Sequence, residues 1–258
     1  MSCLARQAEV AVERRRRHGG PGFARWHTCS LCEQRYHGVV RCALGWACWK
    51  TYVGRPETDW CRQAAMTQLG NGLYLAKHYE DALSVREAEL AMERRLGAPE
   101  DDLLVTQGNL ANTYEMLGRR EEALQMKHDV YSGHLRLYGE EHRSTLIAAS
   151  NYAACLFGLE RFEEAKALLR RTVPVARRVL GEGHELTISM RQNFATVLFR
   201  DDGATLDDLR EAVTMYEETE RIARRVFGGA HPLTVKIVET LPEARAALRA
   251  REATPPSA

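Results

Sequence analysis

The residues best equipped for chemistry gather near the N-terminus. They are His27-Thr28-Cys29-Ser30-Leu31-Cys32, then His37, Cys42, Cys48 and Cys61, with Trp46 and Trp49 interleaved. A Cys-x-x-Cys pair places two thiolates for one tetrahedral zinc, and a second pair about ten to fifteen residues further on would close the site. Cys42 and Cys48 fill that place irregularly, because five residues separate them where a second knuckle has two. Two readings follow. In one, Cys29, Cys32, Cys42 and Cys48 hold a single structural zinc, with His27 or His37 able to replace a thiolate. In the other, Cys42, Cys48 and Cys61 are small buried hydrophobes that pack with the tryptophans. Four protein ligands would leave no open position on the metal, so neither reading makes this segment catalytic.

Acid–base chemistry is the next candidate. Glu140, Glu141 and His142, and then Glu182 and His184, resemble acid/base pairs, but they recur one repeat apart and do not converge on one point. A structural turn explains them better. The chain has no Gly-rich phosphate loop, no His-Glu-x-x-His and no Gly-x-Ser-x-Gly. Cys3 and Cys155 stand alone. The sequence is therefore read as non-enzymatic, with no cofactor beyond that one structural zinc.

The elements that position these residues show up as a period. Leu96-Gly97, Tyr138-Gly139, Leu180-Gly181 and Phe227-Gly228 each close an amphipathic stretch, and their glycines are 42, 42 and 47 residues apart. Ala82, Ala123, Ala165 and Ala212 follow the same rhythm, and the longer last step marks an insertion near Asp201 to Thr205. A third series pairs His142, His184 and His231 with Thr145, Thr187 and Thr234. Within a unit, Leu110, Ala111 and Tyr114 share one helical face, and a Gly118-Arg119-Arg120 turn separates them from Ala123, Leu124, Val130 and Leu135. Gly139 is predicted to end the second helix in a left-handed conformation. The histidine is predicted to cap the next helix, with Pro232 at a first helical position. Each unit thus reads as helix, turn, helix, loop. Such pairs must stack to bury their apolar faces, and stacking builds a superhelix with a concave side.

Composition agrees with a helical protein. The 258 residues are 45% hydrophobic and 28% charged with 8 prolines, and the formal net charge is +1. No apolar run reaches the ~18–20 residues of a membrane helix. Residues 1–60 hold ten basic and five acidic side chains, and the remainder is weakly acidic. Neither half resembles the concentrated positive charge of a nucleic-acid binder, so no nucleic-acid partner and no membrane is expected. Arg14 to Arg17 read as the solvated end of a short helix, with a nuclear-import or phosphate patch as the alternative. The N-terminus lacks a secretory h-region, which predicts a cytoplasmic protein with reduced thiols. The expected organisation is a short basic segment at 1–22, a Cys/His/Trp-rich module at 23–60, about four repeats plus a capping helix at 62–251, and a disordered tail at 252–258.

Leu110-Ala111-Tyr114-Ala123 and Leu69-Gly70-Leu73-Ala82 resemble the tetratricopeptide pattern, and Tyr152-Ala153-Ala165 and Phe194-Ala195 match it in part. The run Phe227-Gly228-Gly229-Ala230-His231-Pro232-Leu233-Thr234 is similar to the linkers of kinesin light chains. No heptad coiled coil of the kind that joins those chains to the motor precedes the repeats. The cysteine segment resembles a degenerate treble-clef or RING-type zinc finger.

The repeat resemblance implies an all-α, right-handed α-solenoid of helix-turn-helix pairs with a small Cys-rich N-terminal module. It also implies a protein or peptide client in the concave groove. In that family the residue before the Leu/small pair faces the ligand, which places Gln68, Asn109, Asn151 and Asn193 in the groove, with Asn112, Glu115, Arg191 and Gln192 beside them. An amide donates and accepts, so a column of them can pair with an extended peptide backbone, or bond within the array. The finger resemblance carries the rival reading, a zinc-finger adaptor or ubiquitin-ligase-like protein that recruits substrates through the repeats.

Overall fold

A computed structural model describes residues 2–18 and 22–253, with the side chains of residues 2 and 15–18 left out. Among these residues there are eleven α-helices and no strand, only an isolated bridge between Thr28 and Arg35. In order they are α1 (Ser2–His18), a 3-10 turn (Gly22–Trp26), α2 (Gly38–Tyr52), α3 (Trp60–Leu75), α4 (Tyr79–Leu96), α5 (Glu100–Met116), α6 (Arg120–Tyr138), α7 (Arg143–Gly158), α8 (Phe162–Leu180), α9 (Glu185–Arg200), α10 (Leu206–Phe227) and α11 (Pro232–Ala253). The fold class is all-α, built from helix-turn-helix pairs. No helix among the described residues is long and apolar enough to cross a membrane. The chain divides into two compact units, residues 1–126 and 127–258.

The turns inside successive pairs share one backbone design. Lys77, Gly118 and Glu160 take left-handed φ values of 66°, 77° and 59°. The following amide then reaches back over the last helical turn: His78 N to Leu73 O at 3.0 Å, Arg119 N to Tyr114 O at 2.9 Å and Arg161 N to Leu156 O at 2.9 Å. This pattern occupies carbonyls that a helix end leaves orphaned. The ninth and tenth helices depart from it, because Asp201–Thr205 is inserted there. Thr205 and Asp208 form a reciprocal capping box, and buried Lys166 reaches over from α8 to hold Asp201 at 3.0 Å.

Between pairs, the recurring histidine and threonine each have a task. Nδ1 of His142, His184 and His231 accepts the backbone N–H two residues on, at 3.2, 3.1 and 3.3 Å. His142 and His231 also stack on Tyr138 and Phe227, the aromatics that close the preceding helices, with centroids 4.3 and 4.6 Å apart. The Thr145 and Thr187 hydroxyls donate to carbonyls of the previous helix, His134 O and Ala176 O. These groups are caps and ties, as a structural turn requires. Replacing His142 or His184 by Ala is expected to lose about 1 kcal/mol each, with Asn restoring most of it; thermal melts of the two single variants and their Asn counterparts check this.

Core packing follows the small residues. Ala82, Ala111, Ala123, Ala153, Ala165, Ala195 and Ala212 are at most 1% exposed. In the first unit, α2 lies against α3 so closely that a Cβ on Gly45 would come within 2.9 Å of Gln68 O, and one on Gly72 within 3.0 Å of Arg41 O. The first helix adds Ala8 and Val12 to a cluster of Phe23, Trp26, Cys48, Tyr52, Cys61 and Ala65. Residues 23–60 therefore pack continuously with the repeat helix that follows, although the sequence suggests a separate module. Arg14 is exposed; the Arg15–Arg17 side chains and residues 254–258 lie outside the described residues.

Candidate peptide-binding site

Three of the amide positions meet in the first unit. Gln68, Asn109 and Asn112 line a cavity of about 450 Å³, together with Asn71, Tyr74 and Arg86. His27, Arg35, Tyr36, His37 and Arg41 line it as well. Among the described residues no carboxylate lines this space.

Two buried arginines build the walls. Arg41 comes from α2, is 5% exposed, and donates to Trp26 O at 3.1 Å and to the Gln68 amide oxygen. Arg86 comes from α4 and is 3% exposed. It donates to Asn109 O and to the Thr113 hydroxyl, reaches Asn71 Oδ1 at 3.1 Å, and lies 4.9 Å over the Tyr74 ring. Burial pushes both guanidinium groups down to about 10, which still leaves them charged at neutral pH. His27 is lowered by burial and then by Arg41 and Arg35, which favours its neutral ring. The result is a pocket whose lining carries fixed positive charge and amides.

Gln192 and Asn193 lie in the second unit. They line a cavity of about 690 Å³ with Ala153, Phe157, Phe162, Val197 and Lys236, a more apolar space. Arg191 departs from the sequence reading. Its side chain is 4% exposed and ion-paired to Glu182 and Glu218, both at 2.7 Å, on a separate cavity. One residue along a helix turns a side chain by about 100°, enough to carry Arg191 away from its neighbours. Glu115 and Asn151 line neither amide cavity.

The cysteines separate into three places. Cys29 and Cys32 share a hairpin loop, Cys42 packs beside Leu69 and Leu73, and Cys48 lies with Cys61 in the Trp26 cluster. Cys48 and Cys61 are fully buried. The four thiols named as one zinc set are thus not brought to one point. His27 and His37 face the amide cavity, and among the described residues no group of three or more His, Cys, Asp or Glu could hold a metal ion.

With this geometry in place, comparison with known proteins locates the repeats. Residues 103–144 and 144–203 each match a family model described as Tetratricopeptide repeat. Residues 103–203 carry tetratricopeptide repeats. No curated protein matches it in sequence. Among solved structures, it resembles a Podosopora anserina chain described as a kinesin light chain with nearly identical TPR-like repeats, at 20% identity and TM-score 0.62, covering 77% of this chain and 90% of that one. It resembles BtubC (BKLC) from P. vanneervenii at 16% identity and TM-score 0.60, covering 98% and 85%. The apo form of RapI aligns at 13% identity and TM-score 0.55, covering 96% and 83%. These likenesses establish the tetratricopeptide solenoid fold.

The sequence signals for the pocket were partial. The amide positions follow from the tetratricopeptide register, and so does Asn71, which follows Leu69-Gly70 as Asn112 follows Leu110-Ala111 but was not singled out; Arg41 and Arg86 do not. Arg41 precedes the repeats, and Arg86 belongs to a second helix, where the register places no ligand-facing position.

Proposed function

We propose that this chain is a non-enzymatic, cytoplasmic scaffold that holds an extended protein or peptide segment, with an acidic stretch seated in the first-unit cavity. The observation that carries this reading is the lining itself: three arginines, two histidines and four side-chain amides, with no carboxylate among the described residues. Among the described residues the Asn109 and Asn112 amides have no side-chain partner, so each can offer a donor and an acceptor to a peptide backbone. Arg35 is exposed at the rim, where it can meet a carboxylate without first losing a partner. The more apolar cavity of the second unit, taken by itself, suits a hydrophobic side chain.

The test uses peptide libraries matched in length and graded in acidic content. The full chain is expected to retain the acidic peptides selectively. An Asn109→Ala/Asn112→Ala double variant should weaken the best binder by about tenfold, the loss of one to two hydrogen bonds, with its circular dichroism unchanged. Arg35→Glu should weaken the preference for acidic peptides. Equal retention of acidic and basic peptides, or full affinity in the double variant, would sink the assignment.

A further inference from the structure

The second unit holds a further cavity, of about 400 Å³, framed by α8, α9 and α10 and separate from the one that Gln192 and Asn193 line. Its lining is charged but unbalanced, since four arginines meet two glutamates. Buried Arg191 enters from α9 and is committed to both carboxylates, Glu182 and Glu218, at 2.7 Å each. Arg177 on α8 shares Glu182 at 2.6 Å. Arg221 and Arg225 remain. Both are exposed, and among the described residues neither side chain has a hydrogen bond or an ion pair.

Basic side chains in the last turn of a helix ordinarily complement its dipole. Arg224 does so while paired to Glu220 at 2.7 Å and lies outside the cavity lining. Arg221 and Arg225 differ, because they line the cavity and lack an acidic partner. Glu218, Arg221, Ile222 and Arg225 fall at i, i+3, i+4 and i+7 of α10, so a single stripe of that helix serves this space.

We propose that this cavity is a further binding site, one that takes a phosphorylated side chain of a client segment, with Arg221 and Arg225 gripping the phosphate. A phosphate monoester carries nearly two negative charges at neutral pH and three acceptor oxygens, which answers the two positive charges that the lining leaves over. Two guanidinium forks supply paired N–H donors for those oxygens. Arg191, held by both carboxylates, is the fixed frame between α8 and α10. Two features favour a peptide as the carrier. Glu218 accepts from Arg191 alone among the described residues, so it keeps lone pairs for a peptide N–H. Ile222 adds an apolar surface for the methylene of the phosphorylated side chain. Among the described residues the lining has no aromatic ring on which a nucleotide base would stack. This site does not depend on the first-unit reading.

The immobilised full chain is offered three degenerate peptide libraries that differ only in the central residue: phosphoserine, serine or glutamate. Phosphoserine peptides are expected to be retained about tenfold better than either of the others, the worth of one added charge-assisted hydrogen bond. Arg221→Gln/Arg225→Gln should abolish that preference with circular dichroism unchanged, since neither side chain holds the fold together. Asn109→Ala/Asn112→Ala should leave the preference intact, so failure at the first-unit cavity and failure here are told apart. Equal retention of the three libraries, or a phosphoserine preference that survives the arginine double variant, would overturn the proposal. So would a chain without peptide preference that binds phosphatidylcholine vesicles containing phosphatidylinositol phosphate and loses them in the double variant, which would give the arginines to a lipid headgroup.

Discussion

A Gly45→Val chain is expected to lose about 3 kcal/mol from the first unit, at the upper end of what overpacking costs. Added carbon at this position meets Gln68 O and Leu69 Cα, both backbone atoms of α3, which cannot swing aside as a side chain would. Gly72 reports the same contact from the other helix, where the obstacles are Arg41 O and Cys42 Cα. The modest helical gain from replacing a glycine, about 0.5–1 kcal/mol with Ala as the comparison, does not offset this. All four tryptophans, Trp26, Trp46, Trp49 and Trp60, belong to the first unit, so tryptophan fluorescence during urea unfolding isolates the effect. Gly54→Ala, in the same unit, is the control, since nothing lies within 4 Å of a Cβ there; it should shift the transition by less than about 0.5 kcal/mol. An unchanged midpoint in Gly45→Val would show that α2 and α3 are less tightly joined than described.

Glu89→Gln is expected to stabilise the protein by about 2–3 kcal/mol at pH 8 and to do nothing below about pH 4. Glu89 is 3% exposed on α4, and its burial pushes it up to about 7, against the opposing hydrogen bond from Thr67. Its folded value lies above the unfolded 4.5, so its favourable contribution is complete below 4.5, where both states are protonated. The contribution drains away as pH rises through 7, because the unfolded state ionises freely and the folded state resists. The amide variant removes that dependence. Urea midpoints across this window should diverge between wild type and variant with rising pH, and parallel curves would show that Glu89 is well solvated or paired. Arg86, nearby on the same helix, is the opposing charge, but its donors are committed to Asn71, Asn109 and Thr113.

How much of this was legible from sequence depends on what each residue does. Gly97, Gly139, Gly181 and Gly228 repeat because each ends a helix at positive φ, and His142, His184 and His231 repeat because each caps the next one. Requirements of local backbone leave a periodic trace. The cysteines leave none, since spacing alone does not reveal that Cys42 and Cys48 sit on a helix. Six residues along a helix turns a side chain by about 240°, which sends the two thiols into different clusters. The pocket was half legible for a similar reason. Gln68, Asn109 and Asn112 follow the register, whereas the arginines that charge the pocket enter from outside it. The N-terminal region was only partly legible: a short helix ending at the arginines was expected, but its packing was not, because the apolar face of α1 is only Ala8, Val12 and their half-buried neighbours.

Arg41 ties Trp26, Gln68 and the pocket wall with one guanidinium. A residue so placed cannot be exchanged to suit a new client without loosening the helices that carry it. Diversification of client preference across descendants of this chain would accordingly be written at the rim, at Arg35, His37 and Asn112, while the floor beneath them stays invariant.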